Sequence, residues 1–231
     1  MNMGGCRNGL VEVTADGQAK AELAESLEPS ADAKTWVVKL RKGIEFHSGK
    51  TFDADDAIAS IEHHRGPEAT SDAKSVAESL GSIRKDGPNT LIFDLESGNA
   101  DFPYLLSDYH ILMGSTDKSG HIDWESGDGT GSYVVKNFEP GVRAHLVRNP
   151  NYFKEGCANF DEVKITAVGD PAARMNGIAT GQFDSIVRCD LKTAPMLEKK
   201  PGVSVLQVCG TKDFSCPMEV RQAPFNENNV G

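Results

Sequence analysis

Between residues 40 and 65 the chain reads LRKGIEFHSGKTFDADDAIASIEHHR, with three histidines (His47, His63, His64) and three aspartates (Asp53, Asp55, Asp56) in one short segment. Those residue types are the ones that hold metals or move protons. A helical zinc site sets two imidazoles four residues apart on one face, whereas adjacent His63 and His64 point about 100° apart and do not readily share an ion. Asp53 precedes an apolar stripe (Ala54, Ala57, Ile58, Ile61) at the spacing of an amphipathic helix over about 54–64. Its carboxylate suits the N-cap, and Asp55 and Asp56 complement the positive end of the helix dipole. His47 falls in a turn. The segment is therefore expected to be scaffold, with no metal.

Two other stretches invite chemistry. GDGTGSY, residues 127–133, is glycine-rich, but it lacks the G-K-[ST] ending of a phosphate loop and runs into a strand-like segment instead of opening a helix. A sharp bend where the chain changes domain is the expectation. DFPYLLSDYHIL, residues 101–112, gathers Phe102, Tyr104, Tyr109 and His110, a density that suits a core more often than a pocket. Ser107, Asp108 and His110 contain the residue types of a nucleophilic triad, yet no G-x-S-x-G elbow occurs in the chain. A metal- or carboxylate-dependent hydrolase using His47, Asp108 and His110 stands as the enzymatic alternative.

The elements that must position these residues can be read from periodicity. LVEV reads as a strand, followed by a turn at residues 15–18; AELAESL (21–27) reads as helical. TWVVKLR (35–41) alternates as a half-buried strand does, and a second helix is expected over about 72–83 with Val76, Leu80 and Ile83 on one side. TLIFDLE is a strand after the turn at 85–88. A boundary falls near 120, giving an α+β part (1–120) and an α/β part (121–231). In the second part SYVVKNF and RAHLVRN flank the turn Glu139-Pro140-Gly141, and VKITAV follows. Asp170 as N-cap, Pro171 at the first helical position and Gly181 after Thr180 delimit a helix. FDSIV (183–187) reads as a strand, LKTAPMLEKK as a helix and VSVLQV (203–208) as a strand, an α/β alternation.

Composition excludes whole classes. The 231 residues carry a formal charge of −10, so nucleic acid and anionic lipid, both recognised by clustered Lys and Arg, are not expected partners. No window approaches the roughly 20 apolar residues of a membrane-spanning helix. The amino terminus, MNMGGCRNGLVEV, has no signal-peptide profile, so the protein is either cytoplasmic or exported by a signal outside this chain. Five cysteines at long spacings, without C-x-x-C, give no zinc or thioredoxin-like pattern. Cys209 and Cys216 could pair across a bend, and buried free thiols are an equal alternative.

The succession GLVEV, LAESLEPSADAKTWVVKLRKGIEFHSGKTFDADDAIASIE, GTGSYVV, FEPG, LVRNPNYF, ARMNGIATGQFDSI and APFNENNV resembles the extracellular solute-binding proteins of peptide- and nickel-type ABC importers, solute-binding family 5. Leu27 stands where many of that family have Trp, and Ser132 where they have Pro. The resemblance implies a periplasmic-binding-protein type II-like α/β fold, with mixed β-sheets and flanking helices. Family members are longer at both ends, so the chain is expected to be a fragment, an incomplete first lobe without the second. The resemblance also implies capture of a peptide-like solute in the periplasm and delivery to ABC permease subunits, with no catalysis, no cofactor and no membrane insertion. On the cleft-facing wall it points to Ser71, Tyr109, His110 and Phe214. An inert truncated fragment is the third reading.

Overall fold

The computed structural model describes residues 5–187, 189–190 and 192–206. Phe214, Cys209, Cys216 and the APFNENNV segment lie outside the described residues.

Strands β1 (Val11–Val13) and β2 (Ala19–Ala21) form a small antiparallel ribbon. The main sheet has four antiparallel strands, β3 (Ala24–Pro29), β4 (Thr35–Leu40), β5 (Ser82–Lys85) and β6 (Thr90–Asp94), in the order β3-β4-β6-β5. In β4 the alternation is realised as expected: Trp36, Val38 and Leu40 are buried. The segment expected to be helical at 21–27 is largely β3 instead. Leu27 sits opposite Val38 and Glu28 opposite Val37, and this pairing outweighs the helical preference of Ala, Glu and Leu, which is worth only tenths of a kcal/mol per residue.

Helix α1 (Ala54–Glu62) lies beneath this sheet with Ala54, Ala57 and Ile61 buried. It opens on a capping box: Asp53 accepts from the N–H groups of Asp55 and Asp56, and Asp56 accepts from the N–H of Asp53. Asp56 is fully buried and serves a second purpose, taking Thr116 N–H at 2.8 Å and Thr116 Oγ1 at 2.7 Å as well as the Lys50 ammonium.

The helix expected over 72–83 is shorter, α2 (Lys74–Ser79), because Gly81 turns the chain into β5 at φ +67°. A Cβ at Gly81 would lie 2.1 Å from Asp94 O, so the close approach of β6 also requires glycine there. Helix α3 (Phe102–Leu105) completes the cover: Phe102 stacks on Trp36 at 5.2 Å and meets Phe93 edge-on at 5.0 Å. The aromatic segment thus divides, with Phe102, Leu106, Ile111 and Met113 in the core and Tyr104 and Tyr109 exposed.

A three-stranded antiparallel sheet, β7 (Tyr133–Glu139), β8 (Arg143–Arg148) and β9 (Glu162–Thr166), follows. Helix α4 (Pro171–Ala179) has Asp170 as its N-cap, accepting from Ala172 and Ala173 N–H. The α/β alternation expected beyond it is not formed among the described residues. FDSIV makes no strand; Phe183 folds back on Gly177, whose carbonyl accepts from Gln182 and Phe183 N–H. Residues 203–206 are also not strand, and 207–208 lie outside the described residues. The chain ends its described part with α5 (Ala194–Glu198). Among the described residues no helix is long and apolar enough to cross a membrane.

Candidate functional site

The opening histidine turn meets the glycine-rich bend. His47 N–H donates to Gly129 O at 2.8 Å, and its Nε2 donates to Gly131 O at 2.9 Å. Ser48 gives its N–H and its hydroxyl to the two oxygens of Asp128, at 3.0 and 2.7 Å. On its other side the bend clasps the amino-terminal segment: Gly131 N–H donates to Cys6 O at 2.9 Å, and Arg7 Nε donates to Asp128 O at 3.0 Å. A Cβ at Gly129 would lie 2.1 Å from Cys6 O, and one at Gly131 2.3 Å from Cys6 C. The glycines serve close backbone approach, not phosphate, and His47 is a structural donor. Beside it an open polar depression of about 440 Å³ is lined by His47, Thr116, Asp117, His121 and Asp128. Asp117 and Asp128 there are already hydrogen-bonded by neighbouring Ser and backbone groups. Among the described residues no three His, Cys, Asp or Glu are arranged to hold a metal ion.

A second polar cluster ties the amino-terminal segment to residues 152–154. Asn8 Nδ2 donates to Glu22 at 2.6 Å and to Tyr152 OH at 3.2 Å, while Thr130 Oγ1 donates to Asn8 Oδ1 at 3.0 Å. Lys154 bridges Glu12, at 2.7 Å, and Glu22. Burial opposes the charge on Lys154, but the hydrogen bonds it donates to both carboxylates more than offset this and its pKa is raised. This pins the LVRNPNYF segment onto β1 and β2.

The remaining site residues gather where α1 ends. Ser71, in the loop before α2, accepts from Ala73 N–H at 3.2 Å and its hydroxyl shares a hydrogen bond with His64 Nδ1 at 2.6 Å. His64 is only 7% exposed, and its Nε2 has no partner among the described residues. Burial foremost, then the charges of His63 and His110, holds its pKa below the ordinary histidine value, with Asp108 opposing. Asp108 Oδ1 accepts from the backbone N–H of His110 at 2.9 Å and from its Nδ1 at 2.8 Å. Tyr109 stacks on His110 with ring centroids 3.8 Å apart. The structure thus joins Ser71 to His64 and Tyr109 to His110, and His64 feels the charges of His110 and Asp108.

This arrangement does not assemble a nucleophile. Ser107 donates its hydroxyl to Tyr104 O at 2.8 Å rather than to His110. Among the described residues the Ser71–His64 pair lacks the third group that would orient the imidazole from its other nitrogen. His64 itself escaped the sequence reading, because adjacency to His63 argues only against a shared metal. Its neighbour His63 lies edge-on to it at 5.2 Å and meets Trp124, from a segment remote in sequence, at 4.9 Å.

Antiparallel sheets with flanking helices in this order give the fold of the type II periplasmic binding proteins. The solved structure of AgaA from A. tumefaciens R10, in complex with agropinic acid, superposes with a TM-score of 0.77 at 24% identity, covering 86% of this chain and 41% of that one. NikZ from Campylobacter jejuni, in complex with Ni(L-His), does so with a TM-score of 0.75 at 20% identity, over 86% and 40%. Residues 18–230 match the bacterial extracellular solute-binding proteins, family 5 middle, and the chain belongs to that family. Heme-binding protein A of Haemophilus influenzae is 26% identical over 90% of this chain and 42% of its own length. Glutathione-binding protein GsiB of Escherichia coli (strain K12) is 24% identical over 96% of this chain and 44% of its own. The chain spans less than half the length of these curated relatives.

Proposed function

We propose that the protein captures a peptide-like solute in the periplasm for an ABC importer and hands it to the membrane permease, without chemistry on the solute. The observation that carries this reading is the family-5 match over residues 18–230, and on that fold the exposed Tyr109 ring beside the Asp108–His110 pair offers an aromatic and polar surface. A relative named for glutathione and a solved neighbour holding a nonapeptide support a peptide-like solute, while others are named for heme or hold Ni(L-His).

Ser71, Tyr109 and His110 are assigned to the wall of the solute cleft, and Phe214 belongs to the same reading. The division near residue 120, into parts 1–120 and 121–231, is retained with it. Capture works by closure of two lobes, because contacts made only in the shut state shift the hinge equilibrium by their differential affinity.

Calorimetric titration of glutathione, short peptides and Ni(II)–histidine into the protein tests this. Saturable one-to-one binding with the solute recovered intact is expected. Cleavage of the solute, abolished by His110→Ala, would establish the hydrolase alternative instead, and absence of binding by every solute would leave the inert reading.

A further inference from the structure

Tyr109 is 74% exposed, more than any other aromatic side chain among the described residues, yet its ring is not loose. It lies on the His110 imidazole with planes 35° apart, and that imidazole is itself held at two points by one Asp108 oxygen. Phe160, 69% exposed, and Phe138, 45% exposed, have no ring beneath them among the described residues. A phenol braced in this way has given up much of its rotational freedom before any ligand arrives. A second flat group can then stack on its open face without the cost of ordering the ring.

We infer that Tyr109, braced by His110 and Asp108, is a stacking shelf that selects peptide-like solutes carrying a flat aromatic side chain over aliphatic ones. The inference rests on the solute-capture reading and narrows its substrate class. His110 is a positioning residue, since it acts through the phenol.

The test is calorimetric titration with Ala-Trp-Ala and Ala-Leu-Ala, peptides alike in length and charge. The tryptophan peptide should bind about two- to tenfold more tightly, the range of an aromatic pair. Tyr109→Leu should erase that ratio and Tyr109→Phe should keep it. His110→Leu should reduce the ratio without removing it. Loss of a merely structural contact would weaken both peptides alike, so the ratio is the decisive readout. Equal affinity in the unaltered protein, or a ratio unmoved by Tyr109→Leu, overturns the shelf and leaves solute capture standing. Binding of glutathione with neither tripeptide also overturns the shelf alone. Failure of all solutes removes solute capture and the shelf together.

Discussion

The four-stranded sheet and the three-stranded sheet are both antiparallel ladders of alternating side chains, and among the described residues only the first is sealed. On the first, Trp36, Val38, Leu40, Leu91 and Phe93 are buried under Phe52, Phe102, Leu106 and α1. On the second, the buried set reduces to Ala144 and Leu146 against Cys6, while Phe138, Val142 and Ile165 remain exposed. The strand pattern sets which residues share a face. Whether that face is dry depends on what the rest of the chain lays over it, here two helices and a run of phenylalanines in one case and a single amino-terminal segment in the other. Stability should therefore be concentrated in the first sheet, and the second should be tolerant and adhesive.

The sharpest way to break this contrast is to empty the sealed core. Phe102→Ala removes a fully buried ring stacked on Trp36 and should cost about 3–5 kcal/mol in urea unfolding. A loss below about 1 kcal/mol would mean that the core tolerates voids and that the contrast is false.

Next in size is the charged link between the amino-terminal ribbon and residues 152–154. Lys154→Met leaves Glu12 and the mostly buried Glu22 without their shared cation and should cost about 2–3 kcal/mol. Adding Glu22→Gln should restore part of that loss, since the two sites are directly coupled. Strict additivity of the pair would refute the link.

A smaller effect depends on pH. His64 has a folded-state pKa below its ordinary value of 6.5, so between the two values the unfolded chain binds more protons than the folded one. Stability consequently rises with pH through that window and is lost as pH falls below about 6.5. His64→Gln should flatten this part of the profile. A ring-proton titration by NMR that placed His64 at or above the ordinary value would contradict the assignment.

The smallest effect belongs to the open sheet. Phe138→Ser with Ile165→Ser should change unfolding stability by no more than about 0.5 kcal/mol per site, while lowering the binding of a hydrophobic dye. If dye binding stayed the same, the exposed face would not be the adhesive surface.

How far the residues announce the structure depends on the range of the force at work. The caps at Asp53 and Asp170, the Glu139-Pro140-Gly141 turn and the alternation of Trp36, Val38 and Leu40 were all readable, because each is decided within a few neighbours. The 21–27 segment misled for the complementary reason: its helical preference is local and weak, and the partner that overrules it, β4, begins at Thr35. The site divides in the same way. Tyr109 and His110 are adjacent in sequence, so their ring contact needed only a local turn, whereas the electrostatic setting of His64 includes Asp108 and His110, more than forty positions away.

By itself, then, the order of residue types determined the capped helices, the hairpins, the acidic surface charge and the family motifs, all of which act over a few positions or are sums over the chain. Only the folded chain decided that His47 grips the bend at 129–131, that Asn8 and Lys154 share Glu22, and that one sheet is covered and the other bare. Those outcomes join residues tens to more than a hundred positions apart. Contacts at such separation depend on the path taken by everything between them, and no local propensity records that path.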